Sequence, residues 1–373
     1  MWSLAVVSFV LGYICILLIG SHEYFQGTVV ERWHYALTDG VCDFLEQAIN
    51  RVCGRRGNAF LEATEAACCQ GSNPIGQVFF GILFIGCYLG VHTEIFPMLE
   101  NTPGFSTWHR YTGGLTAVIV LYFFFLVCYC DPGKINESNL DAHLALYPPD
   151  GILFPEPPQH CSTCIQLKPG RSKHCNATKS CVARFDHCNA TKSCVARFDH
   201  WCIWINNAVG LYNTRWFLCF LFSTAAACLY GAVLGGNLIA ADMREKGAWS
   251  KEWIEPRTRN KVYLGDHWGL VFQFVLSRYS MGAAMSVFLG VAFWIVLGFT
   301  GLQIYRIKIG MTTNESWKIK EMRSAGAVVA TRSGNGLSPS YSHYNRGWRR
   351  NFAEIMFPKY YLLQSLRDKD KDG

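Results

Sequence analysis

The sequence predicts an all-α polytopic membrane protein with about five transmembrane helices. It also predicts one small cytosolic cysteine-rich domain of short β-hairpins and loops. Three observations lead there. Half of the 373 residues are hydrophobic and only 16% are charged, against roughly 25% in soluble domains. Several apolar runs are long enough to cross roughly 30 Å of hydrocarbon. Seven of the 17 cysteines fall between positions 161 and 202, in a polar stretch flanked by such runs.

The elements follow in order. Residues 1–20 are apolar and uncharged. They lack the basic start and small-residue cleavage site of a signal peptide, so they read as a retained first helix. Residues 21–74 are mixed and polar and form a first cytosolic loop. Residues 75–130 hold the second and third helices, at 75–91 and 111–130. Residues 131–215 are the cysteine-rich domain. Residues 216–305 hold the fourth and fifth helices, at 216–241 and 281–305, around a lumenal loop at 242–268. Residues 306–373 are a cytosolic tail rich in Lys and Arg, with 324–340 as a flexible linker. Five spans put the cysteine-rich domain and the tail on one side, and positive charge assigns that side to the cytosol. The basic residues Arg244, Lys246, Lys251, Arg257, Arg259 and Lys261 in the lumenal loop run against this topology.

The net charge of +7 fits cytosolic loops beside anionic lipid better than nucleic acid. No Asp, Glu, Lys or Arg lies inside the five runs. Ion and proton pathways usually need such groups, so a channel or transporter is disfavoured. The chemistry belongs in the polar segment at the membrane face.

Cys161-x2-Cys164-x9-His174-Cys175 has zinc-ligand spacing. Two thiolates on one tight knuckle reach a common ion at about 2.3 Å, and the histidine and later cysteines extend the set. Between membrane spans this favours a reducing, metal-binding setting over disulfides. Asp199-His200-x-Cys202 fits an activated thiol. A histidine takes the thiol proton and an aspartate fixes the imidazole tautomer. A repeat complicates the segment: CNATKSCVARFDH at 175–187 recurs unchanged at 188–200. It offers a rival nucleophile in Asp186-His187-Cys188.

Residues 161–210, with Asn213, resemble the cysteine-rich domain of the Asp-His-His-Cys protein S-acyltransferases, the palmitoyltransferases. Asp131-Pro132-Gly133, Thr312-Thr313-Asn314-Glu315, and Tyr344-Asn345-Arg346-Gly347 with Asn351 resemble that family's other motifs, in the same order. The resemblance implies a transferase moving a long-chain acyl group, palmitoyl, from acyl-CoA to cysteines of membrane-associated proteins. It implies Cys202 as nucleophile, His200 as base and Asp199 as its orienter. It places Thr312 or Thr313 beside Asp199, Asn351 in a supporting element and Trp204 near the first acyl carbons. Cys202 is preferred over Cys188 because Trp204, Asn206, Asn207, Gly210 and Asn213 follow it in family order. Arg171 and Lys173 are candidates for the CoA phosphates.

The family holds two structural zinc ions. The first set carries over as Cys161, Cys164, His174 and either Cys181 or Cys194. Of the second set only Cys175 survives, because Thr178, Trp201 and Ala208 occupy the other positions. One zinc site is therefore expected. A substitute site from Cys175, Cys181, His187 and Cys188 is a further possibility that the repeat creates. The alternative reading is a catalytically impaired zinc-binding membrane scaffold derived from this family. Lys369-Asp-Lys371-Asp-Gly at the C-terminus resembles an endoplasmic-reticulum retrieval signal, which points to the endoplasmic reticulum or Golgi.

Overall fold

The computed structural model describes residues 28–37, parts of 40–59, 73–174, 194–254, 261–324 and 342–372. The expected first span at 1–20 lies outside the described residues, as does the linker at 324–340 beyond Ser324. In chain order the described helices are α1 (Val29–Leu37), α2 (Ile75–Gly90), α3 (Met98–Asn101), α4 (His109–Tyr129), α5 (Leu140–Leu146), α6 (Thr214–Glu245), α7 (Trp268–Arg278), α8 (Ser280–Lys308), α9 (Thr313–Ser324), α10 (Trp348–Met356) and α11 (Pro358–Asp372). Three antiparallel two-stranded hairpins join them: β1 (Lys173–His174) with β2 (Cys194–Val195), β3 (His200–Cys202) with β4 (Asn207–Val209), and β5 (Glu252–Ile254) with β6 (Lys261–Tyr263).

Among the described residues, four helical runs are long and apolar enough to cross a membrane: Ile75–Asn101, His109–Tyr129, Thr214–Glu245 and Ser280–Lys308. They coincide with spans two to five of the sequence reading. Their exposed side chains include Ile82, Ile85, Leu115, Phe125, Val233 and Trp294, the all-round apolarity of helices that meet lipid. The third of these runs, span four of the sequence reading, reaches past its expected end at 241. Asp242 stays helical because its carboxylate accepts hydrogen bonds from Lys246 Nζ, at 2.7 Å, and from the Tyr279 hydroxyl.

The chain divides into two compact units. One comprises residues 1–62, 81–121 and 221–299. Its apolar clusters centre on Ile95, Phe96, Leu99 and Leu238, and on Met243, Leu264 and Val271. The segment read as a plain lumenal loop at 242–268 is more ordered than expected. It holds the end of α6 and the β5–β6 hairpin. Next comes α7, whose 11 residues reach only about 16 Å and do not span a bilayer.

The other unit comprises residues 63–80, 122–220 and 300–373. Leu146, Tyr147, Phe154, Leu211, Met311, Ile319, Tyr344 and Leu362 form its main core. The Asp131-Pro132-Gly133 turn joins α4 to this unit. Asp131 Oδ1 accepts the Gly133 and Lys134 N–H groups, each at 3.0 Å. Gly133 sits at φ +107°, a conformation that a side chain disfavours. The Gly133 carbonyl then accepts the Ala196 N–H at 2.9 Å, which fixes the end of α4 beside β2.

Candidate active site

The residues that could hold a metal come from a knuckle and a hairpin. Cys161 and Cys164 flank a tight turn in which the Cys164 N–H donates to Cys161 Sγ at 3.4 Å. Ile165, just after it, takes the left-handed conformation at φ +57°. His174 and Cys194 face each other directly across β1–β2. The four ligand atoms of Cys161, Cys164, His174 and Cys194 all lie within 4.8 Å of one another. A tetrahedral zinc with Zn–S of about 2.3 Å needs separations of about 3.8 Å, so the set fits. Of the two candidates for the fourth position, Cys194 stands with the set among the described residues. Cys175, Cys181, Thr178, His187 and Cys188 lie outside the described residues.

The reactive row starts four residues beyond β2. His200 Nδ1 bonds Asp199 Oδ2 at 2.7 Å, which leaves Nε2 for a second partner. The His200 side chain also shares a hydrogen bond with Cys202. Burial alone would lower the imidazole, but the bonds to Asp199 and Cys202 outweigh it and raise the pKa from 6.5 to about 9. Asp199 is 6% exposed. Burial would raise its carboxyl, yet the hydrogen bonds from His200 and the Thr313 N–H hold it well below the usual carboxylate range.

The N-terminus of α9 anchors Asp199. The Thr313 N–H donates to Asp199 Oδ1 at 2.7 Å, and the Thr313 hydroxyl donates to Oδ2 at 2.9 Å. The Asn314 N–H donates to the Asp199 carbonyl at 3.1 Å. Free N–H groups and the helix dipole make such an end an anion site. Thr312 has a different task. Its hydroxyl accepts the Glu315 N–H at 3.2 Å, and Glu315 Oε2 accepts the Thr312 N–H at 2.8 Å. This reciprocal capping box explains the Thr-Thr-x-Glu spacing. Of the two threonines, Thr313 is the one on Asp199.

Arg171 corrects the sequence reading. It is not free to meet CoA phosphates: only 2% exposed, it forms a bidentate pair with Glu315 at 2.6 and 2.8 Å. It also donates to the Gly310 carbonyl at 2.9 Å. Tyr147 and Tyr344 flank its guanidinium, which leaves the group enclosed by the protein. Lys173 is exposed, with its amine 5.4 Å from the Phe198 ring. Asn351 supports from the tail, donating to the Lys308 carbonyl at 3.1 Å and accepting the Arg346 N–H at 3.1 Å.

The turn after Cys202 docks on the start of α2, a contact the sequence did not announce. Gln77 Nε2 donates to the Ile205 carbonyl at 3.1 Å. At Gly76 an added Cβ would lie 2.2 Å from the Ile203 carbonyl oxygen, so helix and turn touch backbone to backbone. Trp204 is half-exposed, and its ring lies 5.9 Å from that of Phe79. Asn207 Nδ2 donates to the carbonyls of Val127, Cys128 and Cys130 at 3.0 to 3.1 Å. Both ends of the turn are thereby tied to membrane-length helices. Gly76→Ala is expected to displace the turn, costing about 1–3 kcal/mol and slowing any chemistry at Cys202. Thermal melting of the purified protein checks the first effect.

Fold and site together define a polytopic membrane protein built around a cysteine–histidine–aspartate row beside a metal-ligand set. The family model for the DHHC palmitoyltransferase matches residues 155–188 and 186–320, two stretches that meet inside the repeat. The palmitoyltransferase ZDHHC4 of Bos taurus is 30% identical over 270 residues, covering 71% of this chain and 72% of its own. Palmitoyltransferase SWF1 of Yarrowia lipolytica is 28% identical over 317 residues, covering 83% and 74%. SWF1 of Neurospora crassa is 36% identical over 281 residues, covering 73% and 60%. The chain belongs to the DHHC palmitoyltransferase family.

Proposed function

We propose that this protein is a membrane S-acyltransferase that moves a long-chain acyl group, palmitoyl, from acyl-CoA to protein cysteines through an acyl-Cys202 intermediate. The observation that carries the reading is the unbroken row from the α9 N-terminus through Asp199 and His200 to Cys202. His200 takes the Cys202 proton, and the thiolate attacks the acyl-CoA thioester carbon. The C–S bond to CoA breaks, and the departing thiolate takes the proton from His200. An acceptor cysteine then repeats the sequence on the acyl-enzyme, again losing its proton to His200 and regenerating Cys202. One thioester replaces another at each step, so no energy source is needed.

Asp199 fixes the imidazole so that Nδ1 faces the carboxylate and Nε2 the sulfur. Trp204 and Phe79, at the start of α2, give the first acyl carbons an apolar wall. A zinc ion on Cys161, Cys164, His174 and Cys194 would cross-link the knuckle to β1–β2 and take no part in the transfer. The exposed Lys173 remains a candidate for CoA phosphates, now without Arg171. The Lys- and Arg-rich tail supports a site on the cytosolic side. No observation favours the impaired-scaffold alternative.

The test is transfer itself. Purified protein in nanodiscs, given palmitoyl-CoA and a membrane-anchored cysteine peptide, should acylate the peptide with ping-pong kinetics. Sequential kinetics without an enzyme adduct would refute the covalent route.

The raised His200 value sets a pH dependence. Below about 9 the ring is protonated, so a proton is at hand for the departing CoA thiolate. Above it the ring is neutral and offers no proton to departing CoA. Acylation of Cys202 should therefore persist through neutral pH and decline as pH rises through about 9. Asp199 contributes no acid limb near neutrality, because its carboxyl titrates far lower. The same shift stabilises the fold below the ordinary imidazole value, a contribution lost as pH climbs through the folded value. A pH–rate profile centred on an ordinary imidazole would contradict this account.

A further inference from the structure

The family's second ligand set would run through positions 175, 178, 201 and 208. Positions 201 and 208 are described, and they carry an indole and a methyl. An indole N–H only donates and a methyl does neither, so these residues do not fit a metal. They do fit each other. Trp201 and Ala208 stand directly opposite on β3–β4. Ala208 and Val195 are wholly buried and Phe198 is 6% exposed, and the partly buried Trp201 packs against the apolar cluster that these three form. Directly opposed cross-strand side chains on one face of a hairpin are close enough to pack.

The placement matters because Trp201 separates His200 from Cys202. Successive strand side chains point to opposite faces. The base and the nucleophile therefore share one face of β3, while Trp201 takes the other. Val195 and Phe198 come from the segment that links metal ligand Cys194 to Asp199. The cluster thus joins the hairpin that carries the chemistry to the arm that carries the metal set.

We propose that Trp201, Ala208, Val195 and Phe198 form an apolar clamp that positions Cys202 in place of a second metal ion. Trp201 is a positioning residue: it touches no reacting atom and acts by holding β3 in register and orientation. The inference rests on the reading of Cys202 as the acyl carrier.

The experiment uses the full chain in nanodiscs and three readouts: zinc per chain by elemental analysis, single-turnover acylation of Cys202 by palmitoyl-CoA, and the pH profile of that step. The wild-type chain should bind one zinc and form the adduct. Trp201→Ala should keep one zinc yet acylate at least about tenfold more slowly. Its alkaline limb should move down toward the ordinary imidazole range as the Asp199–His200–Cys202 alignment loosens. Trp201→Phe, which restores an apolar ring, should recover most of the rate. Ala208→Ser places one hydroxyl on the same dry face and gives a milder version should Trp201→Ala fail to accumulate. Two zinc ions in the wild-type chain would overturn the clamp. So would loss of the single zinc in Trp201→Ala, or wild-type rates in both Trp201→Ala and Ala208→Ser. A wild-type chain that forms no adduct would instead overturn the catalytic reading, so the two failures are distinguishable.

Discussion

Cys202→Ser abolishes the acyl adduct and peptide transfer together, whereas Cys188→Ser leaves both intact. The serine hydroxyl is nearly isosteric, so the fold should survive and only the nucleophile is lost. A hydroxyl paired with one histidine is far harder to ionise than a thiol, which already carries a few per cent thiolate at neutral pH. His200→Ala, with the nucleophile kept, should slow acylation by about 10²–10⁴. Cys202 has geometry behind it: its hairpin is tied to α2 by Gln77 and to the end of α4 by Asn207. Gel readout of a clickable palmitate analogue, with and without hydroxylamine, separates the variants. An adduct that survives Cys202→Ser and vanishes in Cys188→Ser would move the nucleophile into the first copy of the repeat.

Breaking the Arg171–Glu315 pair gives the largest expected stability loss. Both side chains are 2% exposed, with the closest approach at 2.6 Å. Removing one partner strands the other's charge in the core, and such breaks cost about 3–5 kcal/mol. Glu315 also closes the capping box at the start of α9, so Arg171→Ala should loosen the helix end that holds Asp199. Loss of acylation should then accompany loss of stability, although Arg171 is remote from the sulfur in its contacts. The double replacement Arg171→Met with Glu315→Leu strands no charge and should regain part of the melting temperature. Melting curves of the two singles and the double form the cycle that isolates the pair. A single variant melting within about 1 kcal/mol of wild type would show that the pair is solvated, against the burial described.

The sequence disclosed what is written in local pattern. Four uncharged apolar runs read directly as membrane-length helices, because lipid demands apolarity on all faces. Cys161, Cys164 and His174 were legible from spacing, and Asp199, His200 and Cys202 from their adjacency. What escaped it depends on tertiary contact. Arg171 reads as a surface cation until Glu315, 144 residues away, is seen to close on it. Gly76 and Gln77 look like ordinary members of an apolar run, and their docking on the Ile203–Ile205 backbone has no local signal. Trp201 and Ala208 were visible as missing ligands. That they pack on each other could be seen only once β3 and β4 were paired. The rival Cys188 and the possible substitute metal set lie outside the described residues.

The central claim is that one sulfur, Cys202, carries the acyl group between donor and acceptor. It is tested most directly by peptide mapping after a single turnover with palmitoyl-CoA in the absence of acceptor. The account predicts one hydroxylamine-sensitive acyl group per chain on the peptide that contains Cys202, discharged when the acceptor peptide is added. An acyl group found on another cysteine, or one on Cys202 that stays in place while the acceptor becomes acylated, would contradict it.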